Sequence, residues 1–246
     1  MAGKQNARRT KTTKQQRASA KSRGPELPQV DASEKRRAKR LYDKLEALYP
    51  DATCALTHRN AYELLVATIL SAQCTDQRVN MVTPELFKAY PDADALARAP
   101  QEQIEQHIKT TGFYRNKAKS LKGAAQAIVE KHNGQVPDTM EDLTELPGVA
   151  RKTANVVLGN VFGKNVGVVV DTHVHRLALR LGLTEQKKDV KKVEADLMAR
   201  FPRGKWTMLA HLLIFHGRRV CKARNPLCSQ CELRRMCPQI GVVNPQ

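Results

Sequence analysis

The chain has 246 residues, with 42 Lys and Arg against 24 Asp and Glu, a formal charge of +18. Its length allows one large domain or two small ones, and a hydrophobic content of 41% excludes a wholly disordered chain. No apolar run approaches the roughly 20 residues that a membrane span needs, and a charge this positive points to a polyanionic partner such as nucleic acid.

Lys4, Arg8, Arg9, Lys11, Lys14, Arg17, Lys21 and Arg23 precede the first acid, Glu26, and no Val, Ile, Leu or aromatic residue accompanies them. Such a segment has too little apolar surface to offset its ordering entropy, so residues 1–30 are expected to be a disordered basic tail. It lacks the apolar face of a transit peptide, and no secretory core is evident. The expected setting is intracellular, cytoplasmic or nucleoid-associated in a bacterium. From Ser33 the pattern becomes helical. Ser33 is the expected cap of a helix with Ala38, Leu41, Tyr42, Leu45 and Leu48 on one face. Helical periodicity recurs over 60–71, 77–90, 101–109 and 115–132, where Asn133-Gly134 supplies a stop. It returns over 139–146, 151–162, 172–181, 190–200 and 205–216. The single strand-like run, 166–170, cannot form a sheet alone and reads as a buried connector. The predicted fold class is all-α.

Leu146-Pro147-Gly148-Val149-Ala150 breaks the helical pattern, and helix resumes at Arg151. Pro147 stops the first helix and Gly148 permits a tight turn. The N–H groups that open the next helix suit a phosphate oxygen, and Arg151, Lys152 and Thr153 stand beside them. Asp171 ends the apolar run and fits the N-cap of the helix that follows. His173 and His175, two residues apart, face different sides of that helix and do not suit a shared metal. Of six cysteines, Cys221, Cys228, Cys231 and Cys237 crowd the last 26 residues with the spacing C-x6-C-x2-C-x5-C. In a reducing compartment this indicates metal rather than disulfides, and four thiolates suit either zinc or a [4Fe–4S] cluster. Lys222, Arg224, Arg234 and Arg235 interleave these ligands and present charge to a DNA backbone.

The segments Leu70-Ser-Ala-Gln-Cys-Thr-Asp76, Leu146-Pro-Gly-Val-Ala-Arg-Lys-Thr-Ala-Asn155 and Val170-Asp-Thr-His-Val174, followed by the cysteine cluster, share order and spacing with a known group. From about Arg40 to Pro238 the chain resembles the endonuclease III family of base-excision DNA glycosylases. The resemblance implies a six-helix barrel over 56–164 with a helix-hairpin-helix at about 139–162. It also implies a helical iron–sulfur domain made of 31–55 and 165–246, with one [4Fe-4S] cluster on the four cysteines. One departure is Ala150, where the family usually has a second glycine.

The resemblance further implies a bifunctional DNA glycosylase and AP lyase. It would be a monomer acting, away from any membrane, on duplex DNA with an oxidised pyrimidine or abasic site. Lys152 would be the nucleophile and Asp171 the catalytic carboxylate. A lysine displaces a base only as the neutral amine, and the positive end of a helix disfavours a second positive charge. Gly148, Ala150, Arg151, Thr153 and Leu146 would bind DNA, Gln73 and Phe113 would hold the duplex open around the extruded base, and Asp76 would line the base pocket. On the residues alone Gln73 reads equally as a helix-capping amide, and Phe113 as core. The rival functions are a monofunctional adenine or mismatch-thymine glycosylase of the same fold, which generally lacks the lysine, and a non-catalytic, redox-sensitive DNA-binding protein. Lys152 argues against the first, and Lys152 together with Asp171 against the second.

Overall fold

The computed structural model describes residues 24–246, so most of the basic segment lies outside the described residues. No described residue is in a strand. The described chain divides into two compact units, one of Ala55–Lys164 and one of Gly24–Cys54 with Asn165–Gln246.

The first unit is organised on the helix Ala61–Leu70. Its sequence is apolar nearly all round, and Tyr62 through Leu70 are all buried, as such a helix requires. Asp76–Ala89, Tyr114–His132 and Arg151–Asn160 pack against it. Polar residues mark the helix starts. Asn60 Oδ1 accepts from Glu63 N at 2.9 Å, and Thr75 Oγ1 accepts from Arg78 N at 3.2 Å. Asn133 and Gly134, both with positive φ, end Tyr114–His132, and Gly134 N donates to Ile128 O at 3.2 Å. One helix, Ala93–Arg98, was not foreshadowed. It is six residues long, capped by Asp92 Oδ1 on Ala95 N at 2.8 Å, and too short to show periodicity.

The second unit packs Ala32–Leu48, Thr172–Arg180, Val190–Arg200 and Trp206–Arg219 around Leu41, Leu45, Val174, Leu177, Leu197, Leu209 and Leu213. Each such leucine contributes about 1.5–3 kcal/mol on burial. The 166–170 run is an irregular connector whose Val168 and Val170 enter this core. The first cap differs from expectation. Asp31, not Ser33, caps Ala32–Leu48, its Oδ1 accepting from Glu34 N at 2.8 Å and from Ser33 Oγ at 2.7 Å. A carboxylate two residues earlier outcompetes the serine hydroxyl, which joins the first turn instead.

Glu63 is a buried carboxylate at the start of the central helix. Its Oε2 accepts from Arg59 N at 2.7 Å and its Oε1 from Arg59 Nε at 2.8 Å. Burial pushes its pKa up, but these Arg59 hydrogen bonds outweigh burial and hold it below its ordinary 4.5. A depressed carboxylate contributes stability that is complete above pH 4.5 and lost as pH falls through the folded value. Glu63→Gln is therefore expected to lower stability at pH 7 by about 1–2 kcal/mol and to shrink the loss of Tm below pH 4.5, measured by thermal melts from pH 7 to pH 3.

Candidate nucleic-acid interface and metal centre

The turn between Met140–Glu145 and Arg151–Asn160 lies directly on the helix Tyr114–His132. Gly148 has φ +78°, and a Cβ there would stand 2.6 Å from Ser120 Cβ and 2.9 Å from Ser120 Oγ. Position 148 thus demands glycine for both conformation and space. Gly123, on the same helix, lets Pro147 approach; a Cβ there would lie 3.2 Å from the proline ring. Leu146 and Val149 are buried, and Val149 N donates to Leu146 O at 3.1 Å. Leu146 therefore anchors the turn from inside, while Gly148 and Ala150 face outward. Ala150 has φ −99°, an extended conformation open to any residue, so the absent second glycine leaves the hairpin intact.

No side chain caps Arg151–Asn160, and no acid occupies its first turn. The helix instead opens with Arg151 and Thr153 half-buried and Lys152 exposed. That arrangement leaves a positive helix end facing solvent beside two cationic side chains, the chemistry that receives a phosphate. Lys152 belongs to the first unit and Asp171 to the second. Asp171 caps Thr172–Arg180, Oδ1 accepting from Val174 N at 2.7 Å. His173 and His175 have separate partners. His173 Nδ1 lies 3.1 Å from the Arg176 guanidinium, and His175 Nε2 lies 2.8 Å from Gln186 O.

Gln73 and Phe113 share an unusual backbone. Both have left-handed φ, +53° and +48°, a conformation that costs a non-glycine residue about 1–3 kcal/mol. Phe113 is 64% exposed, so it is not core. Gln73 is exposed, and the adjacent helix takes its cap from Thr75. Asp76 is half-buried at the first position of that helix.

In the second unit, Cys221, Cys228, Cys231 and Cys237 line one cavity, and all six cysteines are free thiols. No three His, Cys, Asp or Glu among the described residues converge closely enough to hold one metal ion. Sequence reasoning missed two buried residues that contact these sulfurs. The Arg180 guanidinium donates to Lys222 O at 2.7 Å, Ala223 O at 3.0 Å and Cys221 Sγ at 3.3 Å. His216 places Nε2 3.5 Å from Cys231 Sγ, with Nδ1 2.8 Å from the Tyr49 hydroxyl. Burial pushes the Cys231 and Cys237 thiols up, and the neighbouring cysteines add to it. Burial pushes His216 down to about 4. Burial thus disfavours bare thiolates at Cys231 and Cys237, while Arg180 sets a cationic group against Cys221 Sγ.

Residues 66–203 match the family described as HhH-GPD superfamily base excision DNA repair protein. The endonuclease III of Synechocystis sp. is 55% identical over 207 residues, covering 84% of this chain and 94% of that protein. The endonuclease III of Bacillus subtilis is 45% identical over 195 residues, covering 79% and 89%. A structure of a non-covalent endonuclease III–DNA complex superposes with a TM-score of 0.79 at 42% identity, covering 83% of this chain and 95% of that one. A trapped endonuclease III–DNA covalent intermediate gives the same score and identity. A thermostable thymine-DNA glycosylase at 23% identity shares the fold, with a TM-score of 0.76. The fold and hairpin thus define a helix-hairpin-helix base-excision repair protein. Within that class the chain belongs to the endonuclease III family, and it is a DNA glycosylase and AP lyase.

Gly148→Ala is expected to cost on the order of 2–4 kcal/mol, from a left-handed alanine and a clash with Ser120. Ala150→Gly should change stability by less than about 1 kcal/mol. Chemical denaturation of the two variants checks both.

Proposed function

We propose that this enzyme acts on duplex DNA carrying an oxidised pyrimidine or an abasic site, with Lys152 as nucleophile and Asp171 as catalytic carboxylate. It works as a monomer inside the cell, in the cytoplasm or on the nucleoid if the host is a bacterium. The observation that carries the reading is an exposed lysine in the first turn of the uncapped hairpin helix. A phosphate bound by that turn would bring a sugar carbon within reach of the amine. Gly148, Ala150, Arg151 and Thr153 supply the backbone and side-chain groups that hold the strand, and Leu146 fixes the turn beneath them. Exposed Gln73 and Phe113 fill the duplex where the base leaves, and Asp76 lines the pocket that receives it.

The chemistry follows from the groups. The neutral Lys152 amine attacks C1′, the C1′–N glycosidic bond breaks, and the base departs with its electron pair and takes a proton. The Asp171 carboxylate stabilises positive charge developing on the sugar and relays protons. Opening of the C1′–O4′ bond leaves an imine between Lys152 and C1′. The imine acidifies the C2′ hydrogen. Loss of that proton expels the 3′ phosphate and cuts the strand. Water then hydrolyses the imine and frees the lysine.

The four cysteines would hold one [4Fe-4S] cluster, whose thiolate–iron bonds would cross-link the C-terminal loop without entering the lysine chemistry. Through their contacts to Cys221 and Cys231, the charged Arg180 would neutralise and orient its ligand sulfur, and the neutral His216 would orient its own. Cys231→Ser is expected to abolish the roughly four irons and four sulfides per chain and to lower Tm, whereas Cys54→Ser is expected to keep both. Stoichiometric zinc without sulfide in iron-replete, anaerobic preparations would overturn the cluster.

Lys152→Ala is expected to lower cleavage of an abasic duplex by at least about a thousandfold. Its affinity for that duplex should stay within roughly threefold of the unaltered enzyme. Gel-resolved single-turnover cleavage and anisotropy titration measure the two. Near-normal cleavage by the alanine variant would remove Lys152 from the nucleophile role.

A further inference from the structure

We propose that Lys117 is the positioning residue for the Phe113 wedge, its buried ammonium pinning the turn that presents the aromatic ring. The inference rests on the reading of Phe113 as a residue that enters the duplex.

Lysine is among the side chains least often buried, yet Lys117 is only 5% exposed. Its Nζ donates to Thr111 O at 2.8 Å. Thr111 is itself buried, and its hydroxyl donates to Ile108 O at 2.8 Å. The next two residues turn left-handed, Gly112 at φ +71° and Phe113 at φ +48°. On their far side Lys117 N donates to Phe113 O at 3.1 Å. One residue therefore grips the turn at both ends, by its side chain before the left-handed pair and by its backbone after it. No side-chain cap holds the helix start at Phe113, and the 64% exposed residue gains little from burial. The bracket formed by Lys117 is what opposes relaxation of Phe113 to an ordinary conformation.

Burial lowers the Lys117 pKa, the cost of holding an ammonium away from water. A charge-assisted bond at this site makes its removal felt at the ring.

The test compares kcat/KM on an abasic duplex with kcat/KM on an abasic single strand, where no partner strand needs to be held apart. The ratio of the two is read for the unaltered enzyme, Phe113→Ala, Lys117→Met and the double variant. Methionine keeps the length and apolar stem of lysine and removes the charged donor. Lys117→Met is expected to lower the ratio roughly tenfold, in the same direction as Phe113→Ala, with little further fall in the double variant. Equal losses on both substrates, or an unchanged ratio, while Phe113→Ala lowers it, would overturn the role of Lys117 and leave the wedge standing. An unchanged ratio in Phe113→Ala would overturn the wedge and the inference together. Lys117→Gln, a neutral donor on a shorter arm, is read by the same criteria if the methionine variant does not fold.

Discussion

The first unit depends on how closely the hairpin backbone can approach the helix Tyr114–His132. At Gly148 there is no room for a Cβ against Ser120, and at Gly123 a Cβ would press on Pro147. Two missing side chains therefore let a turn and a helix meet. Everything chemical in the unit follows from that approach. It buries Leu146 and Val149, fixes the direction in which Arg151–Asn160 starts, and leaves that start uncapped. Lys152 is exposed because the residues on either side of the turn are committed inward.

The same helix serves a second purpose at its other end. Tyr114–His132 begins at Phe113 and is gripped there by Lys117, and it receives the hairpin at Ser120 and Gly123. One rigid element thus carries both the turn that displays an aromatic ring and the turn proposed to receive a phosphate. A helix fixes the spacing of such features far better than a loop could. In the second unit the organising constraint is different. Buried Arg180 would be costly alone, but two carbonyls and a cysteine sulfur satisfy its donors. The cationic group and the sulfur-lined cavity explain one another.

Most of this was legible in the sequence because it is local. The helix start at Thr172 followed from Asp171, the helix stop from Asn133-Gly134, and the hairpin from Pro147-Gly148, each a residue whose own backbone or side chain forces the feature. The cysteine spacing was equally plain. What escaped was decided by tertiary contact. Ala93–Arg98 is too short to have a period. Asp31 prevailed over Ser33 because two neighbouring side chains each offered a cap. Lys117 reads as one more solvated lysine until the fold encloses it, and His216 and Arg180 read as ordinary helix residues until sulfur is placed beside them. A phenylalanine in left-handed backbone has no sequence signal at all, since phenylalanine rarely adopts it. Its strain is visible only in the structure, at a segment the family motif had singled out for another reason.

On the proposed reading, the hairpin delivers one amine to a sugar carbon. Borohydride reduction of the unaltered enzyme onto an abasic duplex, digestion of protein and DNA, and tandem mass spectrometry would locate the sugar remnant. A single modified nitrogen, Nζ of Lys152, is expected. A remnant on any other lysine, Lys117 included, or on an N-terminal amine would contradict it.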